Sequence, residues 1–213
     1  MSDSYEINIE DWHFRIQPPT DPASNSILVA IHGWTGNQYS MDIFTRKLKN
    51  EYWIIFPCAP YPAEGGGFSW IDSSEADQKN LQYLTNSTQN LHSRIDFLLH
   101  DHLHLIPNRM NLMGFSQGSA MALLYCLKYS VEGTKIGLLS GFLPDGLAAH
   151  PSNLSNRSFF IAHGKQDSVI PVEQAYRLAS FIEDSGGAYD FCEANTGHKL
   201  SLDCFNRMQD FLS

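Results

Sequence analysis

Apolar positions along the chain follow two alternating rhythms. Short runs of consecutive β-favouring residues recur at Ser26 to Ile31, Tyr52 to Phe56, Met110 to Met113, Ile136 to Leu139, Ser158 to Ala162 and Ala188 to Cys192. Within the first, Ile27-Leu28-Val29-Ala30-Ile31 has no polar position, as expected of a strand covered on both faces of a parallel sheet. Ahead of these runs Tyr5, Ile7 and Ile9 alternate with polar residues, which predicts an antiparallel edge strand. Between the runs the apolar spacing changes to threes and fours. From Ser74 to about His104, residues Leu81, Leu84, Leu91, Ile95 and Leu98 share one helical face, with a gap at Thr88. Further helices are predicted from Ser116 to about Lys128, from Val172 to Asp184 and from Leu202 to Leu212. Strand–helix alternation predicts an α/β fold, a single mostly parallel sheet flanked by helices with right-handed crossovers. With no internal repeat and no long linker, residues 1–213 read as one domain. In such a sheet, ligands gather at the loops beyond the carboxyl ends of the strands.

Candidate chemistry falls at those loops. Gly114-Phe115-Ser116-Gln117-Gly118 follows the run Met110 to Met113 and leads into Ser119-Ala120-Met121-Ala122-Leu123-Leu124. That is the strand–turn–helix setting of a nucleophile elbow, where a tight turn lifts a serine hydroxyl above the sheet and a helix N-terminus faces developing negative charge. The plain alternative is a strand-to-helix turn with Ser116 as N-cap. A serine hydroxyl needs a base within hydrogen-bond reach. Among nine histidines, His198 in Asn195-Thr196-Gly197-His198-Lys199 lies between the last strand-like run and the last helix, at the same sheet edge as Ser116. The carboxylate that orients such a base should follow a strand between the two, and Asp167 does so after Phe159-Phe160-Ile161-Ala162. Asp145 follows the preceding strand and Asp184 falls on a predicted helix, so both fit less well. An oxyanion hole needs two preorganised N–H donors. One is the backbone N–H of Gln117; the other is assigned to the backbone N–H of Trp34, in the loop Ile31-His32-Gly33-Trp34-Thr35-Gly36. His32 is expected to pack beneath that loop.

Charge and composition narrow the partners. A net charge of -9 disfavours nucleic acid, which requires a basic surface. No apolar run approaches the roughly 20 residues that span a bilayer, so stable membrane insertion is not expected. The polar, acidic start Met1-Ser2-Asp3-Ser4-Tyr5-Glu6 is unlike a secretory signal, and a cytoplasmic location follows as the default. Cys58, Cys126, Cys192 and Cys204 sit among apolar neighbours without metal-type spacing and read as free, buried thiols. His100, His102 and His104 could suggest a metal, but only His100 and His104 would share a helical face, and no third ligand is defined. Tyr61, Phe68 and Trp70 in a Gly-rich stretch are candidates, with Trp34, for the wall of an acyl pocket.

Taken together, the segments Ile31-His32-Gly33, Cys58-Ala59-Pro60, Ser69-Trp70-Ile71-Asp72, Gly114-Phe115-Ser116-Gln117-Gly118, His163-Gly164-x-x-Asp167-x-x-x-Pro171 and Gly197-His198 resemble the carboxylesterase/phospholipase branch of the α/β-hydrolases, which includes acyl-protein thioesterases and small bacterial esterases. The resemblance runs from about Ile27 to the C-terminus. It implies an α/β-hydrolase fold without a large cap domain, a triad of Ser116, Asp167 and His198, and a mechanism needing no cofactor and no metal. The substrate would be a small acyl ester or thioester, with a lysophospholipid or acyl-protein thioester as the alternative. A hydrolase-like binding protein with negligible turnover is the reading from a different class, and whether the chain is a monomer or a homodimer stays open. Two features depart from the family pattern. Bulky Trp34 follows His32-Gly33, and Gly65-Gly66-Gly67 precedes Ser69-Trp70, which predicts a different and more mobile substrate loop.

Overall fold

The computed structural model describes residues 4–72, 74, 79–129, 133–150 and 152–213. In chain order its strands begin with β1 (Tyr5–Ile9), β2 (Trp12–Gln17) and β3 (Ser26–Ile31), followed by the short helix α1 (Asp42–Thr45) and β4 (Tyr52–Pro57). A small hairpin of β5 (Tyr61–Pro62) and β6 (Phe68–Ser69) precedes helix α2 (Leu81–Phe97). The second half contains β7 (Arg109–Phe115), α3 (Gln117–Tyr129), β8 (Lys135–Leu139), β9 (Ser158–Gly164), α4 (Glu173–Asp184), β10 (Ala188–Ala194) and α5 (Leu202–Leu212), with strand and helix alternating except between β8 and β9.

Eight strands form one sheet in the order β1-β2-β4-β3-β7-β8-β9-β10. Pairings from β4 to β10 are parallel, and β1 and β2 add antiparallel strands at one edge. The period of two along β3 divides its side chains between two cores. Ile27, Val29 and Ile31 face α2, α3 and α4 through Leu91, Ala120 and Leu178. Leu28 and Ala30 face the other side, with Met41, Met208 and Leu212. Both faces are covered, which is why β3 is apolar throughout. Helix α3 is buried on nearly every side, and its run of Ala, Met and Leu reflects that central position. Among the described residues no cap domain stands over the sheet.

The structure adds one strand and corrects two expectations. Strand β2 was not legible: Trp12, Phe14 and Ile16 alternate with His13, Arg15 and Gln17, yet Arg15 is buried and held by Asp42, the Gln38 carbonyl and the Phe56 ring. Helix α2 starts at Leu81, not Ser74, because the Asn80 side chain accepts the N–H groups of Gln82 and Tyr83 and caps it; residues 73 and 75–78 lie outside the described ones. The gap at Thr88 is no interruption, since that side chain is buried and its hydroxyl donates to the Leu84 carbonyl at 2.7 Å. Cys192 and Cys204 are not free thiols but are joined in a disulfide, which ties β10 to the first turn of α5. Cys58 and Cys126 are free and buried, and burial pushes the Cys58 thiol up to about 11. Among the described residues no helix is long and apolar enough to cross a membrane.

Candidate active site

The nucleophile candidate stands where β7 passes into α3. Ser116 has φ of 55°, a left-handed conformation that costs about 1–3 kcal/mol in a non-glycine residue and persists only where surroundings enforce it. Its N–H donates to the Leu139 carbonyl of β8 at 2.8 Å, and its own carbonyl accepts from Ser119 at 2.9 Å to open the helix. The two flanking glycines serve close crossings. A Cβ on Gly114 would lie 2.0 Å from the Gly118 carbonyl oxygen, and one on Gly118 would lie 2.2 Å from that of Ile31. The elbow is therefore wedged between β3 and β8, and no side chain fits at either glycine.

Asp167 and His198 come from the loops that follow β9 and β10. A Cβ at Gly164 would lie 2.2 Å from the Gly197 carbonyl, so this glycine lets the two loops touch. Lys165 and Gln166 then donate their N–H groups to the carbonyls of Ala194 and Thr196, at 2.8 and 3.0 Å. Asp167, with its side chain fully buried, accepts from Val169 and Ile170 N–H at 2.9 Å each through Oδ1. Its Oδ2 lies 2.7 Å from His198 Nδ1. A carboxylate can only accept here, so Nδ1 carries the proton and Nε2 of His198 is left as the basic nitrogen. His163 also faces the carboxylate, its Nε2 at 3.4 Å from Oδ2 while donating to the Ile170 carbonyl at 2.8 Å. Burial pushes the His163 pKa down, which keeps the ring neutral beside the carboxylate.

Among the described residues no hydrogen bond joins Ser116 Oγ to His198. The link runs through Phe115, whose ring centroid lies 4.9 Å from that of His198. Ser116 is 8% exposed, with a hydroxyl free to rotate, and catalytic hydrogen bonds commonly tighten only with substrate.

The loop after β3 packs directly on the elbow, since a Cβ on Gly33 would lie 3.0 Å from Ser116 Cβ. Trp34 N–H donates to nothing among the described residues, as an oxyanion donor should before substrate arrives. Gln117 carries a second task that the sequence did not reveal: its buried Oε1 accepts the Trp70 N–H at 3.0 Å, tying the elbow to the β5–β6 hairpin. His32 lies beneath the loop as expected. Its Nδ1–H donates to the Gly33 carbonyl at 2.7 Å and its Nε2 accepts the Ala59 N–H at 3.0 Å. Complete burial lowers its pKa to about 4, so it acts as a neutral strut.

The candidate pocket-wall residues differ in exposure. Trp34 is 51% exposed and Phe68 is half-buried, whereas Trp70 is completely buried. The Trp70 indole N–H donates to the His32 carbonyl at 2.7 Å and its ring packs on Trp12, so it braces the loop after β3 from inside the core. Gly65-Gly66-Gly67 forms the tip of the hairpin, all three at positive φ, and a Cβ on Gly67 would lie 2.0 Å from the Thr35 carbonyl. Phe68 N–H donates to the Gly36 carbonyl at 2.9 Å, which pins the hairpin to the loop after β3. His100 and His104 spend Nδ1 on the backbone carbonyls of Asp96 and His100, at 3.0 Å each. The one group of three metal-ligand types among the described residues is Cys192, Asp203 and Cys204, whose sulfurs are bonded to each other.

Sheet order, elbow and the Ser–Asp–His chain order define an α/β-hydrolase fold. A family model described as Phospholipase/Carboxylesterase matches residues 12–213, and the chain belongs to that family, whose members hydrolyse ester bonds. It is 28% identical over 142 residues to acyl-protein thioesterase 1 of Saccharomyces cerevisiae, covering 62% of this chain and 63% of that relative, under two thirds of its length. It is also 28% identical to acyl-protein thioesterase 1 of Yarrowia lipolytica, over 78% of this chain and 80% of the relative. A carboxylesterase from Mesorhizobium loti superposes with a TM-score of 0.81 over 98% of both chains at 16% identity, a likeness of fold.

Proposed function

We propose that this chain, acting as a single domain, is a serine hydrolase of short- to medium-chain carboxylic esters that works through an acyl-enzyme. The observation that carries the reading is the 2.7 Å contact of Asp167 Oδ2 with His198 Nδ1 at the sheet edge where the elbow presents Ser116. In the first half-reaction His198 Nε2 takes the hydroxyl proton as Ser116 Oγ bonds the acyl carbon, and the negative oxygen lies on the N–H groups of Trp34 and Gln117. Collapse breaks the bond to the alcohol oxygen, and His198 returns the proton to it. Water, deprotonated by His198, then attacks the acyl carbon and frees the acid and Ser116. The cytoplasmic location expected from the N-terminus is at odds with the Cys192–Cys204 bond, which a reducing cytosol disfavours.

A thioester or lysophospholipid substrate is the second reading, favoured by the two relatives named acyl-protein thioesterase. Hydrolysis of p-nitrophenyl esters from acetate to palmitate tests both. A preference for short acyl groups, with Ser116→Ala at least about a thousandfold slower, supports the ester reading. A rising rate up to palmitate favours the second, and no turnover on any chain length contradicts both.

A further inference from the structure

A cavity of about 570 Å³ opens between α1 and the segment that leads from His198 into α5. That volume is typical of a small-molecule site. Its body is apolar, with Ile43 and Phe44 on one side and Leu200, Leu202 and Phe205 on the other. Its rim carries Arg46, Lys47 and Lys199. Three cations gather in the lining of one opening in a chain whose net charge is -9. Among the described residues the side chains of Arg46 and Lys199 make no ion pair or hydrogen bond, and Lys47 Nζ reaches only the neutral Asn206 Oδ1, at 3.0 Å. Elsewhere Arg15, Arg94, Arg109, Lys165 and Arg207 all pair with carboxylates. The rim therefore keeps positive charge that the protein itself does not neutralise.

The cavity adjoins the catalytic histidine. Phe44 on its wall stacks on Phe115 at 5.7 Å, Phe115 lies 4.9 Å from the His198 ring, and Lys199 follows His198 directly. That side of the site has a chemical meaning. The acyl oxygen turns to the oxyanion donors, while the departing oxygen or sulfur receives its proton from His198 and must leave over the imidazole.

We propose that this cavity is the leaving-group subsite and selects esters whose alcohol, or thioesters whose thiol, has an apolar body ending in an anion. The apolar walls take the body, and Arg46, Lys47 and Lys199 take a terminal carboxylate or phosphate. The inference rests on the hydrolase reading of Ser116 and His198. Hydrolysis consumes water and yields the free acid and the anionic alcohol, with no further reactant.

The test compares three butyrate esters whose leaving groups have eight carbons each: octanol, 8-hydroxyoctanoate and 8-hydroxyoctyl phosphate, with p-nitrophenyl butyrate alongside. Wild type is expected to prefer the anionic esters by about fivefold to tenfold in kcat/KM, mainly through KM, as two or three rim charges can supply. Whichever anion gives the larger ratio identifies the headgroup. In Arg46→Ala/Lys199→Ala the ratio should fall to about one, and 0.5 M salt should shrink it in wild type. Turnover of p-nitrophenyl butyrate with no anion preference overturns the subsite and leaves the hydrolase reading standing. No turnover of p-nitrophenyl butyrate overturns that reading, and the subsite with it. An anion preference seen instead with monomethyl suberate over methyl octanoate assigns the cavity to the acyl chain and overturns the proposal. So does an oligomer that dissociates on Leu202→Glu, which gives the groove to a second copy of the chain.

Discussion

Gly164 and Gly197 meet where the loops carrying Asp167 and His198 cross, with room for no Cβ at Gly164, whose Cβ would lie 2.2 Å from the Gly197 carbonyl oxygen. This crossing brings Asp167 Oδ2 to 2.7 Å from His198 Nδ1, while Oδ1 is fixed by two backbone N–H groups. The carboxylate is held by its own turn independently of the histidine, and the proposed mechanism gives it the task of orienting His198. Asp167→Asn should therefore leave the melting temperature nearly unchanged, because an amide oxygen can still accept from Val169 and Ile170. It should lower kcat about 10⁴-fold, since the amide N–H₂ facing His198 imposes the wrong tautomer. Thermal melts and ester hydrolysis measured side by side check this, and equal losses in both would assign Asp167 to folding.

His32 sets an acid limit. Its folded pKa of about 4 lies below the usual 6.5, so the unfolded chain binds the extra proton between those values. Stability is then complete above about pH 6.5 and falls as pH drops toward 4, by on the order of 2 kcal/mol between pH 7 and pH 5. Burial shifts His163 in the same direction. Urea unfolding at pH 7 and pH 5 reads the difference. A protein equally stable at both would mean that His32 is solvated in solution.

The hairpin glycines separate backbone conformation from contact. Gly65 and Gly67 both have positive φ, but a Cβ on Gly65 meets nothing within 4 Å, while one on Gly67 runs into Thr35. Gly65→Ala should cost about 1 kcal/mol, the conformational penalty alone. Gly67→Ala should cost more and also reduce kcat/KM, because the oxyanion loop must move. Similar effects of the two variants on activity would contradict a hairpin pinned to that loop.

Cys192 and Cys204 bracket the segment that carries His198. Under denaturing, non-reducing conditions a thiol reagent should find Cys58 and Cys126 only, and all four cysteines after reduction. Cys204→Ala should lower stability by about 2–3 kcal/mol, as for a closed loop of this length. Four reactive thiols without reductant would refute the bond.

The sheet was legible, and the candidate site residues could be picked out, because their signals are local. Apolar runs such as Ile27 to Ile31 announce buried parallel strands, and Ser116, Asp167 and His198 each follow one. What stayed hidden depends on pairing across the chain. Strand β2 buries Arg15 only because Asp42, distant in sequence, neutralises it. Trp70 looks like a pocket residue among loop glycines, yet its indole closes a hydrogen bond to His32 from inside the core. The Cys192–Cys204 pair joins two elements whose separation no spacing rule reads as a bridge. The caps were readable in principle: Asn80 before the Leu81 stripe carries the N-cap signal that places the start of α2.

The central claim is that Ser116 Oγ is the nucleophile that His198 activates. Intact-mass and peptide mass spectrometry after treatment with a p-nitrophenyl alkylphosphonate tests it most directly, because phosphorus bonds the attacking oxygen as p-nitrophenolate leaves. The predicted result is one phosphonyl group per chain on the peptide containing Ser116, with labelling at least about a hundredfold slower in His198→Ala. A label on another residue, or labelling of Ser116 at the same rate without His198, would contradict the account.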